Sequence, residues 1–324
     1  MTDARSIRTI AVVGAGAVGG WVAARLALAG LPVAVLARGA TLEAIGSGGL
    51  LVTQAGETLR ADVTASSDAS QLGPQDLLVL AVKAPAIADA AQAARPLIGE
   101  HTLIVPMLNG VPWWFTPGEP LGSVDPDGAI AAALPLGQVV GCVVHAACSR
   151  GGPNEVLVKH SDKLIFGEPG GGRSKRVAAL AALFEAAGIR AEQSEDVRRA
   201  IWYKLWGNAT INPLSALTRA TADRLIADPQ LRAFMLDAMA ELAAVGAAIG
   251  CPIEESGEDR MAVTARLGAF KTSMLQDVEA GRPIELEALL GAPREIAARS
   301  SVPTPRLDLL YSITRQLGKS LGLA

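Results

Sequence analysis

The chain has 324 residues, half of them hydrophobic and 19% charged, with a formal net charge of -3. That length suits two domains with ample core, and the near-neutral balance leaves no basic footprint for nucleic acid. The longest apolar runs are strand-length or broken by Gly, Pro and charge, and the opening MTDARSIRT enters a strand rather than a signal segment, so no membrane partner is expected and the expected location is cytoplasmic. Cys142, Cys148 and Cys251 form no CxxC pair, and His101, His145 and His160 have no HxxxH spacing. Neither a disulfide framework nor a metal site is expected, and the chemistry must use something other than a metal or a catalytic thiol.

The first seventy residues alternate as a βαβ unit does: a β-rich run at 9–13, a helical stretch at 17–29 and a second apolar strand at 32–36. Between the first strand and helix stands GAGAVGG, residues 14–20, which contains GxGxxG. With 34 glycines in the chain the match is weak by itself, but its place at a strand-to-helix turn gives it weight. There Gly14 permits the turn, Gly16 the close approach of a pyrophosphate and Gly19 the packing of the helix. The bland alternative is a structural turn. At the end of the second strand stands Arg38, where an NAD site would carry an acid. A guanidinium there suits a 2′-phosphate, so NADP is favoured over NAD; the alternative is a surface arginine in a loop.

Strands are expected at 77–82 and 103–106, each followed by a polar residue at the edge where open α/β sheets bind ligands: Lys83 and Asn109. Asn109-Gly110 also reads as a plain turn. From 139 the pattern shortens to a meander at 139–147, 156–159 and 163–166, then a flexible EPGGGR turn at 168–173, a helix at 175–187 and a last strand at 189–192. After Ser194 strand signals nearly vanish, and helical stretches run on with breaks at Pro213, 250–252, 281–283 and Pro303/Pro305. The fold class expected is α/β: a Rossmann-type dinucleotide-binding domain at 1–193, then an all-helical domain at 194–324 that carries substrate binding and catalysis.

One helix in that second part is unusual. In IWYKLWGNATINPL, Lys204, Asn208 and Asn212 lie at i, i+4 and i+8, one strip drifting by about 80° around the axis. Ile201, Trp202, Leu205, Trp206, Ala209 and Ile211 make the remainder apolar, and asparagine is a poor interior helix residue. Either the strip faces water, or it lines a cleft that holds a polar ligand.

Taken together, GAGAVGG, Arg38, VKA at 82–84, LNG at 108–110, HAA at 145–147, KLWGNATINPL, SMLQD at 273–277 and GRPIE at 281–285 resemble the ketopantoate reductase (2-dehydropantoate 2-reductase) family, in family order and over nearly the whole chain. The resemblance implies NADP on Gly14, Ala15, Gly16, Ala17, Val18, Gly19, Arg38, Lys83, Asn109 and Ala147. It implies Lys204 as proton donor, Glu285 as a catalytic carboxylate touching substrate and cofactor, and Asn109, Asn208, Asn212 and Ser273 as substrate ligands. It further implies reduction of ketopantoate to (R)-pantoate in pantothenate and coenzyme A biosynthesis. The partner is a small-molecule 2-oxoacid, with a homodimer as the one assembly allowed for. The chain departs from the family at 218–222, which lacks an asparagine some members carry, at Glu287 and Leu290, and in the bulky VPWWF at 111–115. These departures leave open a paralogous reductase for another 2-oxoacid. A non-catalytic NADPH-binding sensor is the other alternative, and Lys204 with Glu285 argues against it.

Overall fold

The computed structural model describes residues 7–266 and 268–323. Two compact units emerge, one of residues 1–108 and 128–197, the other of 109–127 and 198–324. The segment 109–127, which a single cut at 193/194 leaves in the first unit, packs with the second.

The first unit begins with β1 (Ile10–Val13), α1 (Ala17–Leu28), β2 (Val33–Leu36), α2 (Gly39–Gly48), β3 (Leu50–Gln54), β4 (Glu57–Ala61) and β5 (Thr64–Ser66). It continues with β6 (Gln75–Leu80), α3 (Ile87–Ala94), β7 (Ile98–Pro106), α4 (Ala129–Ala133), β8 (Gly141–Arg150), β9 (Glu155–Gly167), α5 (Lys175–Ala186) and β10 (Ala191–Gln193). One sheet runs β5-β2-β1-β6-β7 with every pair parallel. Val12 stands opposite Val35 on one side and Val79 on the other. Parallel strands covered on both faces need unbroken apolar runs, and IAVV and VAVL are fully buried.

A second sheet, β10-β9-β3-β4 with β8 on the free side of β9, packs on the other flank of α1. Trp21, Val22 and Leu26 of α1 join Ile10 and Val35 to Leu50, Val52 and Phe166 in one core. Gly20 permits this approach, because a Cβ there would lie 2.8 Å from Val156 Cγ2.

The second sheet corrects the expected meander. The segments 156–159 and 163–166 are one strand, β9, antiparallel to β8, and the polar stretch between them runs opposite irregularities at His145/Ala146 and Ala147/Cys148. The polar residues are absorbed by bulging and not by a turn. The EPGGGR turn is also tied down: Glu168 accepts from Ser174 Oγ at 2.5 Å and Arg176 Nε at 2.7 Å. Burial alone would raise the Glu168 carboxyl, but these bonds and the Arg176 charge outweigh it and hold its pKa below the ordinary value.

The second unit is helical: α6 (Val197–Thr218), α7 (Ala222–Ala227), α8 (Pro229–Ala248), α9 (Gly257–Ala265), α10 (Ser273–Glu279), a π-helical turn (Glu287–Gly291) continuing into α11 (Ala292–Arg299), and α12 (Pro305–Leu321). The break expected at Pro213 does not occur, and α6 runs through it. A proline deletes one i→i−4 hydrogen bond, and the following residues Leu214, Ser215 and Ala216 are all buried, so packing carries the helix onward. Trp202 and Trp206 lock α6 to α8, donating their indole N–H to Leu242 O at 3.0 Å and Met239 O at 2.8 Å. Gly246 makes room, since a Cβ there would meet Trp202 Nε1 at 2.4 Å.

Candidate active site

In the first unit the glycine-rich loop joins β1 to α1. Gly14 has φ +98°, and a Cβ on it would sit 2.8 Å from Ala81 O. A Cβ on Gly19 would lie 2.0 Å from Gly14 O. Both glycines are therefore demanded by the fold itself. Gly16 is not: a Cβ there meets nothing within 4 Å, so the chain has an open approach at the N-cap of α1. No side chain caps this end and its first turn carries no acid, which leaves backbone N–H groups and the positive end of the helix dipole to meet an anion. The loop, with Ala15, Ala17 and Val18 between its glycines, could seat a dinucleotide pyrophosphate.

Because the strands are parallel, Arg38 and Lys83 follow β2 and β6 at the same sheet edge as this loop. Arg38 is the exposed N-cap residue of α2, and Lys83 is half-buried at the start of a short 3₁₀ turn. Ala147 lies on β8 of the other sheet, exposed beside a register irregularity.

In the second unit, Lys204 Nζ donates to Asn109 Oδ1 at 2.9 Å, and Asn109 Nδ2 donates to Glu285 Oε2 at 3.3 Å. The link is built by Gly110, whose φ is +79° and whose Cβ position lies 2.3 Å from Ala288 O. Val111 N donates to that same carbonyl at 2.8 Å. Asn109 is thus clamped to the chain around the π-helical turn, and Glu285, two residues before that turn, is buried beside it. Asn109-Gly110 forms a bend, and that bend, held by the Val111 bond to Ala288, aims the amide.

Asn208 and Asn212 continue the Lys204 strip along α6 and line a cavity of about 200 Å³. Asn212 is only 5% exposed, and among the described residues neither side-chain amide has a hydrogen-bond partner. The Asn208 and Asn212 part of the strip therefore faces a cavity and not simply bulk water. Ser273 opens α10 at an exposed position and, among the described residues, shares no hydrogen bond with these groups.

Sequence reading gave no role to two other features. Asp277, 2% exposed, pairs with Arg282 at 3.0 Å and so ties SMLQD to GRPIE, fixing the turn that leads to Glu285. Arg260 lines the Asn208/Asn212 cavity from α9, in a stretch with no motif to mark it. The departures at Glu287 and Leu290 are taken up by packing: Glu287 Oε1 accepts from Tyr311 Oη at 2.8 Å, and Leu290 is fully buried. Burial pushes the Cys148 thiol up to about 12, leaving it neutral and a poor nucleophile at pH 7.

Residues 10–171 match the family model for ketopantoate reductase PanE/ApbA, and residues 196–318 match the model for its C-terminal part. The chain belongs to the ketopantoate reductase family. It is similar to a 2-dehydropantoate 2-reductase of Mesorhizobium japonicum, 40% identical over 97% of this chain and 98% of that one. Among solved structures it resembles a candidate ketopantoate reductase of Ralstonia solanacearum MolK2 (51% identity, TM-score 0.95, covering 98% of this chain and 100% of the other). It also resembles the 2-dehydropantoate 2-reductase of Methylococcus capsulatus (30% identity, TM-score 0.83, 98% of each chain). The chain is an oxidoreductase of this family with its Rossmann-like and helical parts, and among the described residues no helix is long and apolar enough to cross a membrane.

The Gly110 clamp generates a test. Gly110→Ala combines a left-handed φ with a backbone clash and should cost about 1–3 kcal/mol in urea unfolding, whereas Gly46→Ala, in α2 with open space around it, should be neutral or slightly stabilising. Equal stability of Gly110→Ala and wild type would mean the loop is not held against Ala288.

Proposed function

We propose that the chain reduces 2-dehydropantoate (ketopantoate) to (R)-pantoate with NADPH, a step of pantothenate and coenzyme A biosynthesis. The observation that carries this reading is the hydrogen-bonded chain Lys204–Asn109–Glu285, with two unpartnered amides on the same helical strip. When bound, NADPH supplies a hydride to C2 of the oxoacid. Lys204, as an ammonium, donates a hydrogen bond to the ketone oxygen and passes it a proton as negative charge develops there. Asn109 holds the lysine's position, and Glu285 fixes Asn109 and accepts from the substrate hydroxyl. Asn208 and Asn212 orient the remaining polar groups, and Ser273 adds a hydroxyl from the start of α10.

For the cofactor, the reading assigns the pyrophosphate to the loop Gly14–Gly19, with Lys83 and Ala147 supporting it and Arg38 meeting the 2′-phosphate. Gly16 supports this assignment, because its lack of a side chain serves no contact inside the protein.

Lys204→Ala should leave NADPH affinity nearly intact and lower kcat on ketopantoate by about 10²- to 10⁴-fold, the usual contribution of a general acid. Steady-state rates alongside a fluorescence titration of NADPH check this. A variant keeping more than about a tenth of wild-type kcat removes Lys204 from the mechanism.

Arg38→Ala should narrow the NADPH/NADH ratio of kcat/KM by about tenfold or more, since a hydrogen bond to a charged group is lost with one cofactor and not with the other. An unchanged ratio would place the 2′-phosphate elsewhere.

A further inference from the structure

The cavity below Lys204 contains a group that the mechanism above does not use. Gly207 lies inside α6, where glycine is about 1 kcal/mol less favourable than alanine, so its presence calls for a compensating reason. Arg260 lies against it: a Cβ on Gly207 would lie 3.3 Å from Arg260 Nε and 3.4 Å from its Nη2, so the guanidinium would have to give by a few tenths of an ångström to admit a side chain there. Gly207 is three residues after Lys204, which places Arg260 about one helical turn down the same face.

The guanidinium is held in place and yet left incomplete. It stacks over the Tyr203 ring, 4.9 Å from the centroid, and its Nη1 donates to Tyr203 Oη at 3.3 Å. Tyr203 in turn bonds Glu255, and burial together with that bond raises the phenol's pKa, so it remains a neutral hydroxyl. Arg260 Nε is buried without a hydrogen-bond partner, and among the described residues no carboxylate pairs with Arg260. Among the described residues it is the one charged side chain lining the cavity, with Asn208 and Asn212 also in the lining. Met235, Met239, Met261 and Phe270 supply apolar lining. A void of about 200 Å³ with one cation, two free amides and an apolar wall is complementary to an organic anion. A 2-oxoacid is such an anion, with an apolar substituent for the methionine wall.

We propose that Arg260 binds the carboxylate of the 2-oxoacid substrate, its fork making the charged contact while Asn208 and Asn212 complete the anion's hydrogen bonds. This rests on the reading of the chain as a 2-oxoacid reductase. It makes Arg260 a specificity residue, selecting acids over neutral ketones and amides of the same shape.

The test compares 2-oxoisovalerate with its primary amide, by calorimetric Kd and by kcat/KM, in wild type, Arg260→Gln and Arg260→Lys. In Arg260→Gln the acid should lose about 10- to 100-fold in kcat/KM and bind correspondingly more weakly, while the amide changes by less than about threefold. Arg260→Lys, which keeps the charge but not the fork, should fall between, and it carries the test alone if the glutamine variant does not fold. Equal losses for acid and amide would show that Arg260 only supports the fold, and would overturn the proposal. The reductase reading fails separately: a wild type that reduces no 2-oxoacid but binds 2-oxoisovalerate through Arg260 would keep this site and discard that activity. A wild type that neither reduces nor binds the acid would end both.

Discussion

The amide of Asn109 has one accepting end and one donating end, and the site depends on both being engaged. An ammonium can only donate, so Oδ1 must face Lys204, and a carboxylate can only accept, so Nδ2 must face Glu285. The chemistry of the partners therefore fixes which way the amide lies. With the amide fixed, a cation and an anion are held in one part-buried network that a neutral amide bridges. Everything around it serves that placement. Gly110 brings the backbone onto Ala288, the Asp277–Arg282 pair fixes the turn ahead of Glu285, and Trp202 and Trp206 set the rotation of α6 so that Lys204 faces the network and its apolar side faces α8.

Much of this was legible in the sequence because it rests on local constraints. The Rossmann-like sheet announces itself through buried apolar runs that alternate with helices, and the Lys204/Asn208/Asn212 strip through helical spacing within an apolar segment. The β3–β4 hairpin gave no such signal. Its turn needs a left-handed backbone at both central positions, and they are Ala55 (φ 53°) and Gly56 (φ 83°) in place of the usual Asn-Gly or Asp-Gly. Pro213 misled in the other direction, since the rule that proline ends helices gives way where both sides of it are buried.

The residues that bear on substrate choice were the hardest to read. Arg260 sits in an unremarkable stretch of α9, and only the three-dimensional packing shows that the glycine of KLWGN is the seat of its guanidinium. Gly20 is similar: it looks like an extension of the nucleotide motif, and its role is to admit Val156 of the second sheet. Ser273 is the reverse case, a motif position that is exposed and, among the described residues, shares no hydrogen bond with that network.

A kinetic double-mutant cycle tests directly whether Asn109 and Glu285 act on Lys204 as one unit. With kcat/KM measured on ketopantoate for Asn109→Ala, Glu285→Ala and the double variant, a coupling of about 0.5–3 kcal/mol is expected, so that the double variant is less impaired than the product of the single losses implies. Losses that simply multiply would show that the two residues act independently, and would contradict the network.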